Sequence, residues 1–552
     1  MNNTICNITT VMDKYNDPVH YSYSKTSSHH FIAVRPPKKK FQQLLTGLLL
    51  TGSLLLGSIC CFGQVENPLL DTASLPTLEK LAQNNPDSLS YQMAYIKAFR
   101  KNIPGATWDN QDSIIKLIIP QYKKWMAAHP NSGVLPFAIG QSLANAESPD
   151  AKPYLLKAVS IDPTLAKAWA ALSIDAERWG DIKGSKEYMH KAALAAPEDP
   201  SYAFYYAMDF EASAPELWKQ KIFELAEKYP DNERGAQGLY WLANRNPDIQ
   251  EKTATYEKLK ALYPPEKFSW SESGMQELFT LYLVKEPQKA KALSTKLLDK
   301  RGWPKLDSIA SGVIKFNQLI EQGKAAQAMT VIESLQLPRY PDLASTIALL
   351  YAKAADKAGK PDSSYKKLTS LYAKEPTTSL MEAIEQYAHK LGRNRSQIQK
   401  DIHALRTSSA KPAPDFNLGL YSSNGKAKLA DFKGKVVLLT FWFPGCGPCR
   451  GEFPHFQNVI NKFKGQPVSY IGINVNPSQD PYVLPFMKGT GYTFIPLRAD
   501  SKWAWDHYKV RGEPTNFLID QNGNIIFSNF RINANNEKTL ELMISELLAT
   551  KS

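Results

Sequence analysis

The chain has 552 residues, a formal charge of +13, and 43% apolar against 22% charged residues. That length exceeds what one hydrophobic core organises, so two or three folded units are expected, and the composition excludes wholesale disorder. The first 63 residues hold six basic and two acidic side chains, which leaves +9 on the other 489. This excess is spread thinly, without the clustered Arg/Lys stripe that phosphate binding needs, so nucleic acid is not expected as a partner.

Residues 1–63 read as an address, not a fold. Arg35-Pro36-Pro37-Lys38-Lys39-Lys40 is a positive stretch, Leu44 to Leu56 is an apolar one, and Cys61 and Gly63 are small residues at −3 and −1 before Gln64. Positive charge stays inside, so everything downstream is expected to be exported. The alternative is an uncleaved membrane anchor, because Phe41 to Phe62 is about long enough to span a bilayer. Neither Cys60 nor Cys61 has the Leu and small-residue context of a lipidation site. Three of the five cysteines (Cys6, Cys60, Cys61) fall in this leader, and the rest of the chain keeps only Cys446 and Cys449. A disulfide across two intervening residues closes almost no loop and stabilises little as a staple. Reactivity explains the pair better.

Residues 64–405 read as helical throughout, with amphipathic stretches punctuated by Pro, Gly and Asp-Pro turns. Ala158 and Pro163 recur 34 residues on as Ala192 and Pro197, with Trp169, Leu172 and Gly180-Asp181 between. The 17-residue interval from Gly180 to Pro197 returns at Gly359 to Pro376, and Pro230 and Pro264 are again 34 apart. Gly323 with Ala325, Ala326 and Ala328 marks another helix pair. These positions resemble the tetratricopeptide pattern, in which small residues on one helix let its partner approach closely. The alternative is an irregular helical domain outside residues 150–200. His129, His190, His389 and His403 are isolated and read as surface or packing residues.

Residues 406–414 (RTSSAKPAP) read as a polar, Pro-bearing linker. Residues 415–552 then change texture. Val436 to Phe441 is a buried strand, Cys446 to about Phe463 a helix, and Val468 to Val475 the next strand. Helical material follows near Asp480–Lys488. Thr515–Asp520 and Ile525–Ser528 flank the Gln521-Asn522-Gly523-Asn524 turn, and Asn535–Ala549 closes as a helix. The order βαβ, hairpin, helix fits an α/β thioredoxin-like fold. The fold class is therefore multidomain: a tetratricopeptide-like α-helical repeat followed by that α/β unit.

Cys446 follows a strand and the Phe443-Pro444-Gly445 turn, so it is expected at a helix N-terminus. Unpaired backbone N–H groups and the positive end of the helix dipole favour a thiolate there. Cys449 lies one turn further in and is placed to resolve a mixed disulfide formed at Cys446. Pro448 costs no hydrogen bond so near the helix start. Half a zinc site, or two inert thiols, is the alternative. Structural zinc needs four ligands, and only His455 and His507 could join the pair in an improvised site, so no metal is expected.

The run Phe432 to Pro454, centred on Trp442-Phe443-Pro444-Gly445-Cys446-Gly447-Pro448-Cys449-Arg450-Gly451-Glu452, resembles the TlpA/ResA branch of exported thioredoxin-like proteins. So does Val510-Arg511-Gly512-Glu513-Pro514-Thr515-Asn516-Phe517-Leu518-Ile519-Asp520. The resemblance covers Ala413 to Ala549. It implies that Pro514 is a cis-proline facing the dithiol and that the Glu513 backbone is free to pair with a substrate strand. It implies that Trp442 packs beneath the site, with Gly447 and Pro448 beside the substrate. Glu452 aligns with an acidic residue that tunes the cysteines; a solvated Glu in a first helical turn is the plainer reading. Two departures stand out. Thr440 occupies the place of thioredoxin's buried Asp, and Gly445 stands where most relatives carry Trp.

These readings predict an exported thiol–disulfide oxidoreductase of the periplasm or cell envelope that reduces protein disulfides. The Gly-Pro spacer, shared with reducing thioredoxins, tilts the reading in that direction. No Gly-rich dinucleotide fingerprint occurs, so no cofactor beyond the Cys446–Cys449 disulfide is expected. The resemblance implies a DsbD/CcdA-like membrane electron donor, and the helical repeats are expected to hold a protein partner. A peroxiredoxin is the enzymatic alternative, since Ala413-Pro414-Asp415-Phe416 also opens that class, although the Pro-x₃-Thr-x-x-Cys arrangement is missing. An envelope scaffold with a regulatory dithiol is the non-enzymatic one.

Overall fold

The computed structural model describes residue 70 and residues 72–107 and 110–549. The leader read over 1–63, with Cys6, Cys60 and Cys61, lies outside the described residues. Among those described, no helix is long and apolar enough to cross a membrane.

Nineteen helices run from Leu75–Asn84 to Arg395–Ser409. Their ends follow local chemistry. The Ala166–Arg178 helix stops at Gly180, which adopts φ +75°, and Asp181 then caps the Ile182–Ala195 helix by accepting the Gly184 N–H. Ala166, Ala170 and Ala192 are buried together where these helices meet, so small side chains set the close approach. Side-chain bonds recur at a separation of 34 residues. They join Arg178 to Ala144, Arg245 to Glu211, Tyr263 to Tyr229, Lys300 to Glu266, Lys390 to Asp356 and Arg406 to Tyr372. Equivalent positions of successive helix pairs therefore stack on one another. Each pair buries its apolar face against the next, as in repeat architectures.

The C-terminal unit contains β1 (Lys411–Pro412), β2 (Asn417–Gly419), β3 (Lys426–Lys428), β4 (Val436–Trp442), β5 (Val468–Asn474), β6 (Ile495–Arg498), β7 (Thr515–Ile519) and β8 (Asn524–Ser528). Six strands form one sheet in the order β1-β8-β7-β4-β5-β6, and β2–β3 is a separate hairpin. β4 runs parallel to β5 and β5 to β6, whereas β7 is antiparallel to β4 and β8 to β7. All seven residues of β4 are buried, because helices cover both faces of this central strand. Val436, Leu438 and Trp442 enter one core with the Gly447–Lys462 and Glu537–Ala549 helices. Val437, Leu439 and Phe441 enter the other, with the Ser501–Tyr508 helix. This is the period-2 alternation of a strand.

The linker expected at 406–414 is absent. The last helix of the array continues to Ser409, and Lys411–Pro412 is already paired with β8. Arg406 is buried, where its guanidinium meets Glu546 Oε2 at 2.5 Å on the closing helix. That ion pair holds the segment to the α/β unit, and Pro412 fits at a strand on the sheet edge.

Candidate active site

Cys446 is the N-cap of the Gly447–Lys462 helix and is disulfide-bonded to Cys449, with 5.3 Å between their Cα atoms. The Cys449 N–H donates to Cys446 Sγ at 3.2 Å. A helix N-terminus aims its free N–H groups at the first sulfur, so an anion there is favoured once the disulfide opens. Cys446 is 3% exposed and Cys449 is fully buried. Gly447 and exposed Pro448 form the first helical positions, where a missing N–H costs nothing.

Glu452, on the same helix one turn beyond Cys449, is buried rather than solvated. Its Oε2 accepts from Asn516 Nδ2 at 2.9 Å and its Oε1 from the Ile532 N–H at 3.0 Å. Arg531 Nη1 stands 3.8 Å away. Burial pushes this carboxyl up from 4.5 to about 7, and Arg531, Asn516 and the Ile532 amide only partly offset it. The group can therefore hold or release a proton near neutrality. Thr440, in the place of thioredoxin's Asp, is buried with no partner for its hydroxyl and no titratable proton in that range.

The Glu513–Pro514 bond is cis, as the resemblance implied. Pro514 leads directly into β7, whose Asn516 pairs with Thr440 of β4. The cis loop and the dithiol thus lie at the same end of adjoining strands. Burial raises the Glu513 carboxyl too, opposed by its own backbone N–H and by Arg531. Trp442 is fully buried against Phe453, Phe486 and Phe494, with ring centroids 5.1–5.3 Å apart. It shares this core with Cys446 and Cys449.

Sequence reading did not single out Asn516, Arg531 or Gln479. Asn516 had a usable signal, an amide directly before the apolar run Phe517-Leu518-Ile519. Gln479 had none. It is fully buried, and its Oε1 accepts the Gly445 N–H at 2.5 Å beside the nucleophile. Among the described residues, no group of three His, Cys, Asp or Glu side chains is arranged to hold a metal.

Residues 410–528 match the AhpC/TSA family model. The chain is 38% identical over 120 residues to the thiol-disulfide oxidoreductase ResA of Bacillus subtilis, covering 22% of this chain and 65% of that protein. The C-terminal domain is thioredoxin-like and similar in sequence to ResA. It is also 33% identical over 113 residues to the thioredoxin-like protein YneN of the same organism, covering 20% of this chain and 65% of YneN. The chain thus spans just under two thirds of the length of these relatives. A solved thiol:disulfide interchange protein of the thioredoxin family from Chlorobium tepidum is 26% identical. It aligns with 25% of this chain and 97% of its own, at a TM-score of 0.23. The helical array lies outside all of these matches.

Proposed function

We propose that this chain is an exported thiol–disulfide oxidoreductase that reduces disulfides of other proteins, with a tetratricopeptide-like array positioning its partners. The observation that carries the reading is the Cys446–Cys449 disulfide capping a helix, one turn from a buried carboxyl poised near neutrality. In the reduced enzyme the Cys446 thiolate attacks one sulfur of a substrate disulfide, and the departing substrate sulfur takes a proton. Cys449 gives its proton to Glu452 and attacks Cys446 Sγ, which releases the second substrate sulfur. The enzyme dithiol loses two electrons and the substrate disulfide gains them. Pro514 and the Glu513 backbone are proposed to hold the substrate strand. A DsbD/CcdA-like membrane protein is the proposed electron donor, since the exchange itself needs no cofactor beyond the dithiol.

The test uses the whole chain, reduced with dithiothreitol and offered insulin. Insulin reduction that disappears in Cys446→Ser is expected, as are mixed disulfides through Cys446 that accumulate in Cys449→Ser. Absence of both would overturn the reading. Rapid peroxide consumption in their place would favour peroxide reduction at the same cysteine.

A further inference from the structure

The helical array reaches the rim of the dithiol through buried polar groups. The turn after the Val134–Asn145 helix holds Glu147 at φ 56°, a left-handed backbone rare for a residue with a side chain. Strain of this kind persists only where the surroundings impose it, and it concentrates at functional sites. The Glu147 carboxylate accepts a hydrogen bond from Gln479 Nε2, and Arg178 Nη2 stands 3.9 Å from its other oxygen. Gln479 in turn accepts the Gly445 N–H. A Cβ built on Gly445 would lie 3.2 Å from the Glu147 carboxyl carbon and 2.9 Å from the Gln479 amide nitrogen. The space beside the nucleophile that a side chain at 445 would occupy is therefore filled from the array. Arg450 ties down the other side of the turn: it donates to the Pro444 carbonyl at 3.0 Å and to Glu177 Oε2 of the array at 2.6 Å. Behind this rim, Tyr482 donates to buried Asp175 at 3.2 Å and its ring packs edge-on against Trp179.

We propose that Glu147 is a positioning residue for thiol exchange: through Gln479 it fixes the Gly445 amide, and its charge beside the turn restrains thiolate formation at Cys446. This rests on the exchange chemistry proposed above. The charged groups around the turn are Arg450 and Glu452 on the cysteine helix, Glu147, Asp175, Glu177 and Arg178 on the array, and Glu513 and Arg531 near the cis-proline. Arg450 is engaged by Glu177, and Glu452 is held by Asn516 and Ile532 on the far side of Cys449. Glu147, held by Gln479 and Arg178, is the carboxylate that lies against Gly445 itself, its carboxyl carbon 3.2 Å from the position a Cβ there would take. A negative charge there disfavours a second one on Cys446 Sγ. The array is thereby a part of the active site that sets the reactivity of its nucleophile.

The pH dependence of Cys446 alkylation by iodoacetamide, in the reduced full chain carrying Cys449→Ser, tests this. Glu147→Gln keeps an acceptor for Gln479 and removes the charge, so the midpoint is expected to fall by about one pH unit. Glu147→Gly removes the same charge and suits the left-handed backbone but also drops the acceptor of Gln479, so an equal fall of the midpoint in both variants assigns the effect to the charge. Faster alkylation at every pH with an unmoved midpoint would mean that Glu147 merely shields Cys446, and would overturn the proposal, as would no change at all. Insulin reduction by the parent chain is read separately, so loss of turnover is not confused with an unmoved midpoint.

Discussion

At the scale of single residues, the buried Glu452 carboxyl couples chemistry to stability. Its folded-state value of about 7 lies above the ordinary 4.5, so the folded protein keeps a proton that the unfolded chain has already lost. Its favourable contribution to folding is therefore complete below about pH 4.5 and is lost as pH rises through 7. Glu452→Gln cannot ionise. The stability of the wild type relative to this variant should fall between pH 5 and pH 8 by on the order of 3 kcal/mol. Urea melts of the full chain at both pH values, followed by near-UV dichroism, measure the difference, and other titrating groups cancel in the comparison. A difference that stays flat with pH would mean that Glu452 is solvated. The same substitution should slow the resolving step by Cys449, so mixed disulfides should persist longer than in the wild type.

At the scale of elements, the sequence announced what local chemistry determines. The Gly180-Asp181 turn, the buried run of β4 and the Asn-Gly hairpin turn were legible because a left-handed glycine, a cap and an unbroken apolar run each have a local cause. The short β6 strand, the Ser501–Tyr508 helix and the β2–β3 hairpin were not, since their alternation is brief and tertiary pairing decides them. Glu452 was singled out from the sequence as a candidate. Its burial was not legible, because Asn516 and the Ile532 amide come from other elements. Contacts between distant elements leave no local trace. Gly489, on the Asp480–Thr490 helix, is pressed so closely to Gly180 that a Cβ there would lie 2.3 Å from the Gly180 carbonyl oxygen. Backbone cannot yield as a flexible side chain can. Gly489→Ala is therefore expected to destabilise the folded chain by about 1–3 kcal/mol. Gly451→Ala, which would meet nothing within 4 Å on an exposed helical position, should instead stabilise by about 0.5–1 kcal/mol. Thermal melts of the two variants distinguish a specific backbone contact from a general intolerance of glycine replacement.

At the scale of the whole molecule, the array and the thioredoxin-like domain meet beside the dithiol and at the closing helix, and touch again where Asn535 Nδ2 donates to the Asn244 carbonyl at 3.2 Å. At the closing helix, the Arg406 guanidinium meets Glu546 Oε2 at 2.5 Å, donates to the Ala373 carbonyl at 3.0 Å and lies 5.0 Å from the Phe527 ring centroid. The Tyr372 hydroxyl donates to the same carboxylate. This seam ties the last helix of the array to the last helix of the chain, so displacement at one end is opposed at the other. Removing one partner of a buried ion pair strands the other, at a cost of about 3–5 kcal/mol, whereas replacing both with apolar groups is close to neutral. Arg406→Met should therefore lower the urea midpoint and split a shared transition into two, with proteolysis appearing near residue 410 as the domains separate. Arg406→Met combined with Glu546→Leu should recover most of the midpoint. If the single variant melts like the wild type, the Arg406–Glu546 pair contributes nothing to holding the array against this domain.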